Sequence, residues 1–513
     1  MTTTLEAPAR LPTGIQGLDD ILGDGLIPNR LYVVEGAPGS GKTTLALQFL
    51  LAGQAHGEQG LYVTLSETAE ELHAVAASHG FNLKGGRIAL FELASADAAL
   101  SPEREMTLLH PWELELGETV KLITDEVEKS GATRVAFDSL SEMRLLAQDP
   151  LRYRRQILAL KQFFTGRNIT VLLLDDLVAA GGERDLQLHS LAHGVITLER
   201  RALDYGSVRR RLEVAKMRGS SYREGWHVYE IRTGGLEVFP RLIASEHHQP
   251  FAGDPVPSGH AALDTLLDGG PLRGTSTLIT GPPGTGKSTL ATQYVCAAAA
   301  RGERSVIYAF DERLDTLLTR SRRLGFNLDQ HLRDGLVVVR QIDPAEVSPG
   351  EFTAMVRKEV EGADNPARLI IIDSLNGYLS AMPEEKSLVL QLRELLSYLN
   401  QLGVTSFLLN PQQGLLGSIQ SSLNISYIAD AVLLLRFFEA GGRMRKAISA
   451  LKNRGGGHED TIREFRIDET GIRIGEPLTT FQGVLTGTPS YTGVGEPLLE
   501  AGGEGIEGGT DSA

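Results

Sequence analysis

The chain has little cysteine, little tryptophan and no long apolar run. Its 513 residues include one cysteine and two tryptophans. A single thiol, Cys296, cannot form an internal disulfide, which fits a reducing compartment such as the cytoplasm, and its apolar neighbours YVCAAAA predict a buried, inert side chain. Because no stretch approaches about 20 uninterrupted apolar residues, we expect no membrane span. The opening MTTTLEAPARLPTG also lacks the pattern of a secretory signal.

Positive charge is scarce as well. Lys and Arg number 50 against 65 Asp and Glu, which gives a formal net charge of −15 at pH 7. A chain this acidic lacks the overall positive field that favours nonspecific nucleic-acid binding, so a nucleic-acid partner is disfavoured unless a local basic patch exists. The most basic segment, RRALDYGSVRRR at 200–211, lies between strand-like runs, where a solvated hairpin is the commoner explanation.

What the chain has in abundance is internal similarity. At a shift of 245 residues, PTG at 12–14 meets PSG at 257–259, and GFNL recurs at 80–83 and 325–328. Later the shift slips by about ten residues, as a difference in loop length requires, and RVAFDSL then matches LIIIDSL. The chain is therefore two copies of one domain.

These matches define the expected domain organisation. We expect a first domain over residues 1–245 and a second over 246–486, joined by the linker-like stretch HHQPFAGDP. Residues 487–513 are Gly-rich and acidic, which predicts a disordered tail. In each copy, apolar strands such as LYVVEG and TVLLLDD alternate with helical patterns. This alternation predicts an α/β fold with a mostly parallel sheet covered by helices on both faces.

Both copies contain a phosphate-binding pattern of the form G-x-x-x-x-G-K-[ST] between a strand and a helix. The glycines allow backbone N–H groups to turn toward phosphate oxygens, and the following helix adds its positive end. A glycine-rich turn that only mimics the motif is the alternative, and the duplicated context weakens it. The first loop comprises Gly36, Pro38, Gly39, Ser40, Gly41, Lys42, Thr43 and Thr44, and the second Gly281, Pro283, Gly284, Thr285, Gly286, Lys287, Ser288 and Thr289.

Two positions in each loop have distinct roles in ATP binding. Lys42 and Lys287 are expected to reach the β- and γ-phosphates, and the hydroxyls of Thr43 and Ser288 to ligate Mg²⁺. The sequence therefore predicts two sites for ATP with Mg²⁺.

Acidic residues at strand ends supply candidates for the remaining chemistry. Asp138 and Asp373 end β-rich strands, where a Walker B carboxylate would face the metal, although a lone Asp there often only caps a turn. Glu67, Asp311 and Glu312 follow the second strand of each copy and are candidates to orient or deprotonate the attacking oxygen. Exposed acids at a strand end are usually only solvated, but their matched positions favour a catalytic role.

The pattern resembles the RecA-type ATPase core and, in finer detail, the KaiC family of double-domain ATPases and autokinases. The resemblance rests on PTGIQGLDDILGDGL, TLSETAEEL, the K-x-R-G motifs KMRG and KNRG, and GHEDTIREFRI, and it covers about residues 11–489. Members of this family form hexamers with ATP held between neighbouring protomers. The resemblance implies two tandem RecA-like P-loop NTPase domains and a homo-hexamer.

Further roles follow from the same resemblance. It implies that Lys216 and Arg218, and likewise Lys452 and Arg454, reach the γ-phosphate of a neighbour's nucleotide, whereas solvated charges at a strand end are the alternative. The histidine after the second K-x-R-G motif is retained as His458, and it is assigned to the nucleotide site with them.

The family's phosphoacceptor segment matches SSLNISYIADAVLLL. Ser426 occupies the first acceptor position, which implies serine autophosphorylation, but Tyr427 replaces the second acceptor. The family's paired carboxylates are changed to Ser66 with Glu67 in the first copy and to Asp311 with Glu312 in the second. A two-site phosphorylation cycle is therefore not expected.

Three functions remain for the chain. The first is a hexameric, cytoplasmic ATPase with serine autokinase activity, which acts on protein partners as a nucleotide- and phosphorylation-dependent timing or signalling switch. The second is a RecA/RadA-type DNA-acting ATPase, and the third is a nucleotide-gated scaffold with little turnover. A basic surface facing DNA would favour the second, and the absence of hydrolysis the third.

Overall fold

In each half of the chain, buried apolar strands alternate with helices and assemble into one large sheet. The computed structural model describes residues 9–93, 111–147, 149–177, 188–380, 388–412, 426–486 and 490–491. Within these ranges the chain divides into a first unit, Met1–Arg241, and a second unit, Leu242–Ala513.

The first unit contains a nine-stranded sheet and six helices in the part that the structure describes. The strands are β1 Leu31–Gly36, β2 Gly60–Thr64, β3 Ile88–Glu92, β4 Arg134–Asp138, β5 Thr170–Asp176, β6 Gly194–Arg201, β7 Arg209–Met217, β8 His227–Arg232 and β9 Gly235–Phe239. The helices are α1 Gln16–Leu22, α2 Lys42–Ala55, α3 Ala69–Ser78, α4 Pro111–Ser130, α5 Leu140–Ala147 and α6 Pro150–Thr165.

The second unit repeats this order. Its sheet contains β10 Ser276–Gly281, β11 Ser305–Ala309, β12 Val337–Gln341, β13 Leu369–Asp373, β14 Thr405–Pro411, β15 Ala431–Ala440, β16 Arg443–Asn453, β17 Arg463–Asp468 and β18 Gly471–Pro477. Its helices are α7 Ala261–Thr265, α8 Lys287–Ala300, α9 Leu314–Arg323, α10 Leu328–Arg333, α11 Pro349–Glu361, α12 Leu375–Ser380 and α13 Leu388–Gln401. Short 3₁₀ turns occur at Ala244–Glu246 and Val484–Thr486, and β19 Phe481–Gln482 pairs with β20 Ser490–Tyr491.

The two sheets have the same strand order. It is β3-β2-β4-β5-β1-β6-β7-β8-β9 in the first unit and β12-β11-β13-β14-β10-β15-β16-β17-β18 in the second. The first six strands in each order run parallel and the last three antiparallel. This shared topology confirms the predicted duplication and the predicted α/β class with two RecA-like domains.

Burial explains why the central strands form. All residues of β1, β2 and β4 are buried, as expected for parallel strands covered on both faces. One apolar cluster of the first unit contains α2 and Tyr62, and another, around Ile123 and Phe164, covers the opposite face of the sheet. The second unit has two corresponding clusters.

Local signals fix the ends of several helices. Thr68 and Glu71 form a capping box at the start of α3, because each side chain accepts a hydrogen bond from the other's backbone N–H. Asp149 caps α6 and Ser348 caps α11, and a proline follows each cap.

Four further observations concern the junction, the tail, the helices and the cysteine. Leu242 and Ala244, which the repeat comparison assigned to the first domain, are buried in the core of the second unit. The predicted tail lies outside the described residues, apart from Ser490 and Tyr491. Within the described ranges, no helix has both the length and the apolar character of a bilayer-crossing segment.

Cys296 is partly buried, and burial raises its pKa to about 12.

Candidate nucleotide sites in the two units

The loop between β1 and α2 has the backbone of a phosphate cradle. Gly39 and Gly41 adopt φ of 75° and 100°, which side chains with a Cβ rarely adopt. A Cβ on Gly41 would also lie 2.7 Å from Cδ1 of Ile231. The glycines are therefore required both by backbone conformation and by packing, and the loop opens at the N-terminus of α2.

Lys42, the first residue of α2, is held inside this loop. Its Nζ donates to the carbonyl oxygens of Gly36 at 2.9 Å and Ala37 at 3.3 Å. It also forms an ion pair with Asp176, in which Nζ lies 2.7 Å from Oδ1. The strand register explains the pair, because Gly36 of β1 lies opposite Asp176 of β5.

Asp138 at the end of β4 faces the same loop. Its Oδ2 accepts a hydrogen bond of 2.6 Å from the Tyr62 hydroxyl and one of 3.3 Å from the Thr43 hydroxyl. Burial raises the pKa of Asp138, and these two hydrogen bonds partly offset the effect. A buried carboxylate beside a threonine hydroxyl offers the hard oxygen ligands that Mg²⁺ prefers.

Glu67 lies beside this group. Its backbone N–H donates to the Thr64 hydroxyl at 2.9 Å, which fixes the turn after β2. Its Oε2 is buried and has no hydrogen-bond partner among the described residues. Burial, followed by the negative charge of Asp138, raises the pKa of Glu67. A half-buried carboxylate with a free oxygen and raised basicity is suited to a general base.

The loop between β10 and α8 repeats the cradle in the second unit. Gly284 and Gly286 have φ of 82° and 108°, and a Cβ on Gly286 would lie 2.3 Å from Cδ1 of Ile467. Lys287 donates to the carbonyl oxygens of Gly281 and Pro282, each at 2.9 Å.

One partner of the lysine differs between the units. Gly281 lies opposite Pro411 in the strand register, so proline stands where the first unit has Asp176. Burial lowers the pKa of Lys287 to about 8, an effect that the charge of Asp373 only partly opposes.

The acids of the second unit are arranged differently from those of the first. Asp373 accepts a hydrogen bond from Ser288, and burial raises its pKa. Glu312 is engaged in an ion pair with Arg320 of α9. Asp311 accepts a hydrogen bond from the Ser374 hydroxyl. The peptide bond that follows Asp373 is cis, as is the one that follows Asp138.

The remaining loop residues mainly shape the cradles. The buried Ser40 accepts a hydrogen bond of 2.6 Å at its carbonyl oxygen from Tyr229, and Thr285 donates from its hydroxyl to the Pro282 carbonyl oxygen at 2.8 Å. The Thr44 hydroxyl lies 3.3 Å from Nε2 of His79, on the side of α3. Pro38, Pro283 and Thr289 lie in the loops or at the start of the helix, as their positions in the motif predict.

The K-x-R residues of the first unit lie at the other end of the sheet from its cradle. Lys216 near the end of β7 pairs with Val195 near the start of β6. Because β6 runs parallel to β1, Lys216 lies at the end of the sheet where β1 begins, whereas the cradle follows the end of β1. Lys216 donates to the carbonyl oxygens of His189 and Ala192, the latter at 2.9 Å. Arg218 donates to the Ser190 carbonyl oxygen at 2.9 Å.

The second unit repeats this arrangement around the candidate phosphoacceptor. Lys452 donates to the carbonyl oxygens of Ser426 at 3.1 Å and Ala429 at 2.6 Å, and Arg454 to that of Tyr427 at 3.4 Å. Ser426 therefore stands where the first unit has His189. His458 is exposed on the loop between β16 and β17.

Three residues at these sites were not identified from the sequence: Tyr62, Asp176 and Arg320. Each acts through a contact with a residue distant in the chain or on another element. The signal that could have identified them is that the two copies differ at these positions. Ile307 corresponds to Tyr62, Pro411 to Asp176 and Val75 to Arg320.

Two phosphate cradles, each with a strand-end carboxylate beside it on a sheet of this order, define a tandem RecA-type P-loop ATPase. The chain belongs to the KaiC ATPase family, whose model matches residues 11–243 and 256–479.

The curated relatives match nearly the whole chain. It is 29% identical over 490 residues to the circadian clock protein KaiC3 of Synechocystis sp., covering 95% of this chain and 96% of that protein. It is 28% identical over 492 residues to the circadian clock oscillator protein KaiC of Thermostichus vulcanus, covering 95% and 93%. The KaiC of Synechococcus elongatus is 28% identical over 497 residues, with coverage of 96% and 94%.

Proposed function

We propose that the protein is a hexameric ATPase that binds ATP with Mg²⁺ between protomers. The first unit hydrolyses ATP steadily, and the second slowly transfers the γ-phosphoryl group to Ser426. Nucleotide state and phosphate charge then bias the packing of the assembly and its binding of partner proteins, so that it acts as a timing or signalling switch. The names of the relatives as clock proteins support the timing role.

The buried carboxylates support binding of Mg²⁺ with the nucleotide. In the first unit Thr43 and Asp138 would hold the ion, and in the second Ser288 and Asp373, directly or through water. Burial raises the pKa of both aspartates, because the neighbouring hydrogen bonds and cations do not fully offset the cost of burying a negative charge. A bound cation would provide the missing compensation. The ion supplies charge neutralisation at the phosphates, while Lys42 and Lys287 bind their oxygens.

The proposal that the first unit hydrolyses ATP depends on Glu67. Its unpartnered, buried Oε2 beside Asp138 is available to accept a proton from an attacking water. Glu312 is at the matching position of the second unit but is paired with Arg320. We therefore assign steady hydrolysis to the first unit and expect slower hydrolysis in the second.

The position of the K-x-R residues supports assembly. Lys216 and Lys452 lie at the amino ends of the parallel strands, whereas the cradle of the same unit lies at their carboxyl ends. Residues at opposite ends of one sheet cannot share a phosphate, so these cations would not bind the nucleotide of their own unit. In the proposed hexamer, the phosphate that they bind belongs to a neighbouring protomer. The same argument makes phosphorylation of Ser426 an event between neighbouring protomers.

The contacts of the basic segment at 200–211 favour its interpretation as a hairpin over its interpretation as a DNA-binding surface. It forms the end of β6, the turn and the start of β7, where Arg211 pairs with Glu199 at 2.8 Å and lies over the Trp226 ring. Arg210 lies 3.7 Å from Glu230. Because acids within the sheet already offset these charges, we do not propose a DNA-acting motor.

Hydrolysis and assembly can be tested together. Native mass spectrometry with Mg-ATP is expected to give a six-fold assembly, and Glu67→Gln is expected to lower ATP turnover about 100-fold, as loss of a general base does. Glu312→Gln is the matched variant and should change total turnover little. A well-folded protein that stays monomeric and hydrolyses no ATP would refute the proposal.

Autophosphorylation needs its own test. After incubation with Mg-ATP, mass spectrometry should find phosphate on Ser426, and Ser426→Ala should abolish the signal. Lys452→Ala should reduce it, because this side chain holds the Ser426 backbone. An unmodified Ser426 in an assembled, hydrolysing protein would remove the kinase role and leave the ATPase.

A further inference from the structure

The second unit has a cation beside its candidate general base. Arg320 of α9 donates from Nη1 to Oε1 of Glu312, and both side chains are mostly shielded, with exposures of 28% and 19%. The second guanidinium nitrogen, Nη2, is buried and has no hydrogen-bond partner among the described residues. The charges of Arg320 and Glu312 both act on Asp373, so the pair lies next to the candidate metal ligand.

The first unit has no such cation at the matching position. Helices α3 and α9 align at the same shift of 245 residues, so Val75 corresponds to Arg320 and Glu67 to Glu312. Val75 packs against the apolar core. Glu67 therefore keeps an oxygen without a partner, whereas Glu312 is held by a guanidinium group.

We infer that Arg320 is a positioning residue that withholds Glu312 from the attacking water and so suppresses ATP hydrolysis in the second unit. The ion pair occupies Oε1 of Glu312, and it sets the orientation of the carboxylate in place of the attacking water. Slow hydrolysis preserves the bound ATP for phosphoryl transfer. The inference rests on the proposed ATPase function, and it assigns the difference in rate between the units to one side chain.

The test uses a Lys42→Ala background, in which the first cradle does not bind ATP and the turnover comes from the second unit. Arg320→Val copies the first unit and is expected to raise kcat about 3- to 10-fold with little change in KM. Arg320→Lys keeps the charge and should restore the suppression. Arg323→Val, an exposed arginine on the same helix, is the matched control and should leave kcat unchanged.

Two further variants test whether the effect passes through the carboxylate. Adding Glu312→Gln to Arg320→Val should remove the gain, and Val75→Arg in the otherwise native chain should lower turnover of the first unit several-fold. Binding of a fluorescent ATP analogue confirms that each variant folds and retains its cradle.

The outcomes separate this inference from the proposed function. If the native protein hydrolyses ATP but Arg320→Val leaves kcat unchanged, or if the gain survives Glu312→Gln, the inference is wrong and the ATPase function stands. If the native protein hydrolyses no ATP, the proposed function fails and this inference fails with it.

Discussion

Nζ of Lys42 lies 2.7 Å from Oδ1 of Asp176, so the lysine that is expected to bind ATP phosphates is paired with an acid of its own unit. The triphosphate must compete with this carboxylate, which is 37% exposed. Pro411 at the matching position makes the second cradle free of that competition.

Removing the acid should strengthen ATP binding to the first unit. In a Lys287→Ala background, where only the first cradle binds, Asp176→Asn is expected to lower the Kd about two- to five-fold, since a partly exposed ion pair contributes roughly 0.5–1 kcal/mol. A fluorescent ATP analogue would measure it. Asp125→Asn, on an exposed position of α4, serves as the control. If the proteins with and without Asp176→Asn bind the analogue with equal affinity, the ion pair does not compete with the nucleotide.

The sequence predicted the sheets and cradles because their signals are local. The runs ending at Gly36 and Gly281 and the glycines that follow need only their own neighbours to form a strand and a loop. Asp138 and Asp373 could be placed for the same reason, since each ends an apolar strand.

Contacts between distant residues could not be predicted in this way. Asp176 reaches Lys42 only because β5 pairs with β1, and this register is a property of the assembled sheet. Arg320 and Glu312 are only eight residues apart, but their ion pair depends on how the turn after β11 and the helix α9 are oriented in the folded unit. The sequence identified the acids, but it could not show that Oε2 of Glu67 has no hydrogen-bond partner among the described residues, whereas Oε1 of Glu312 is paired with Arg320.

The pKa of Lys287 predicts a pH dependence of ATP binding in the second unit. Burial lowers this pKa to about 8, and only the ammonium form attracts phosphate. Binding therefore takes up a proton, and in a Lys42→Ala background the affinity should fall as pH rises from 8 to 9.5, by at most about ten-fold per unit. Lys287→Arg stays charged over this range and should bind with little pH dependence. Parallel pH profiles for the two proteins would contradict the prediction.

The Tyr62 hydroxyl should stabilise the first unit chiefly when no cation is bound. Tyr62→Phe keeps the ring but removes a 2.6 Å hydrogen bond to the buried Asp138, so the free energy of unfolding should fall by about 1–2 kcal/mol. Mg-ATP should recover most of the loss, because a bound cation then compensates the carboxylate. Tyr32→Phe is the control, because the Tyr32 hydroxyl forms hydrogen bonds with the Ile27 backbone. The stability that this variant loses should not be recovered with Mg-ATP. Urea unfolding with and without Mg-ATP measures both.

His227 predicts that the first unit loses stability in mild acid. Its Nδ1 accepts from the Arg241 N–H at 2.8 Å and its Nε2 lies 2.9 Å from the Arg223 carbonyl oxygen, an arrangement that only the neutral ring satisfies. Burial lowers its pKa to about 4 from an ordinary 6.5. The folded state binds the proton more weakly than the unfolded state, so this stability is complete above pH 6.5 and is lost as pH falls toward 4.

Between pH 7.5 and 5 this histidine should cost the first unit roughly 2 kcal/mol of unfolding free energy, as obtained from urea unfolding at each pH. His227→Gln cannot be protonated, so the variant should be less stable at pH 7.5 but should lose less on acidification. His56→Gln, at an exposed position, should keep the native pH dependence. If native and His227→Gln proteins lose equal stability between these pH values, the buried imidazole is not the group responsible.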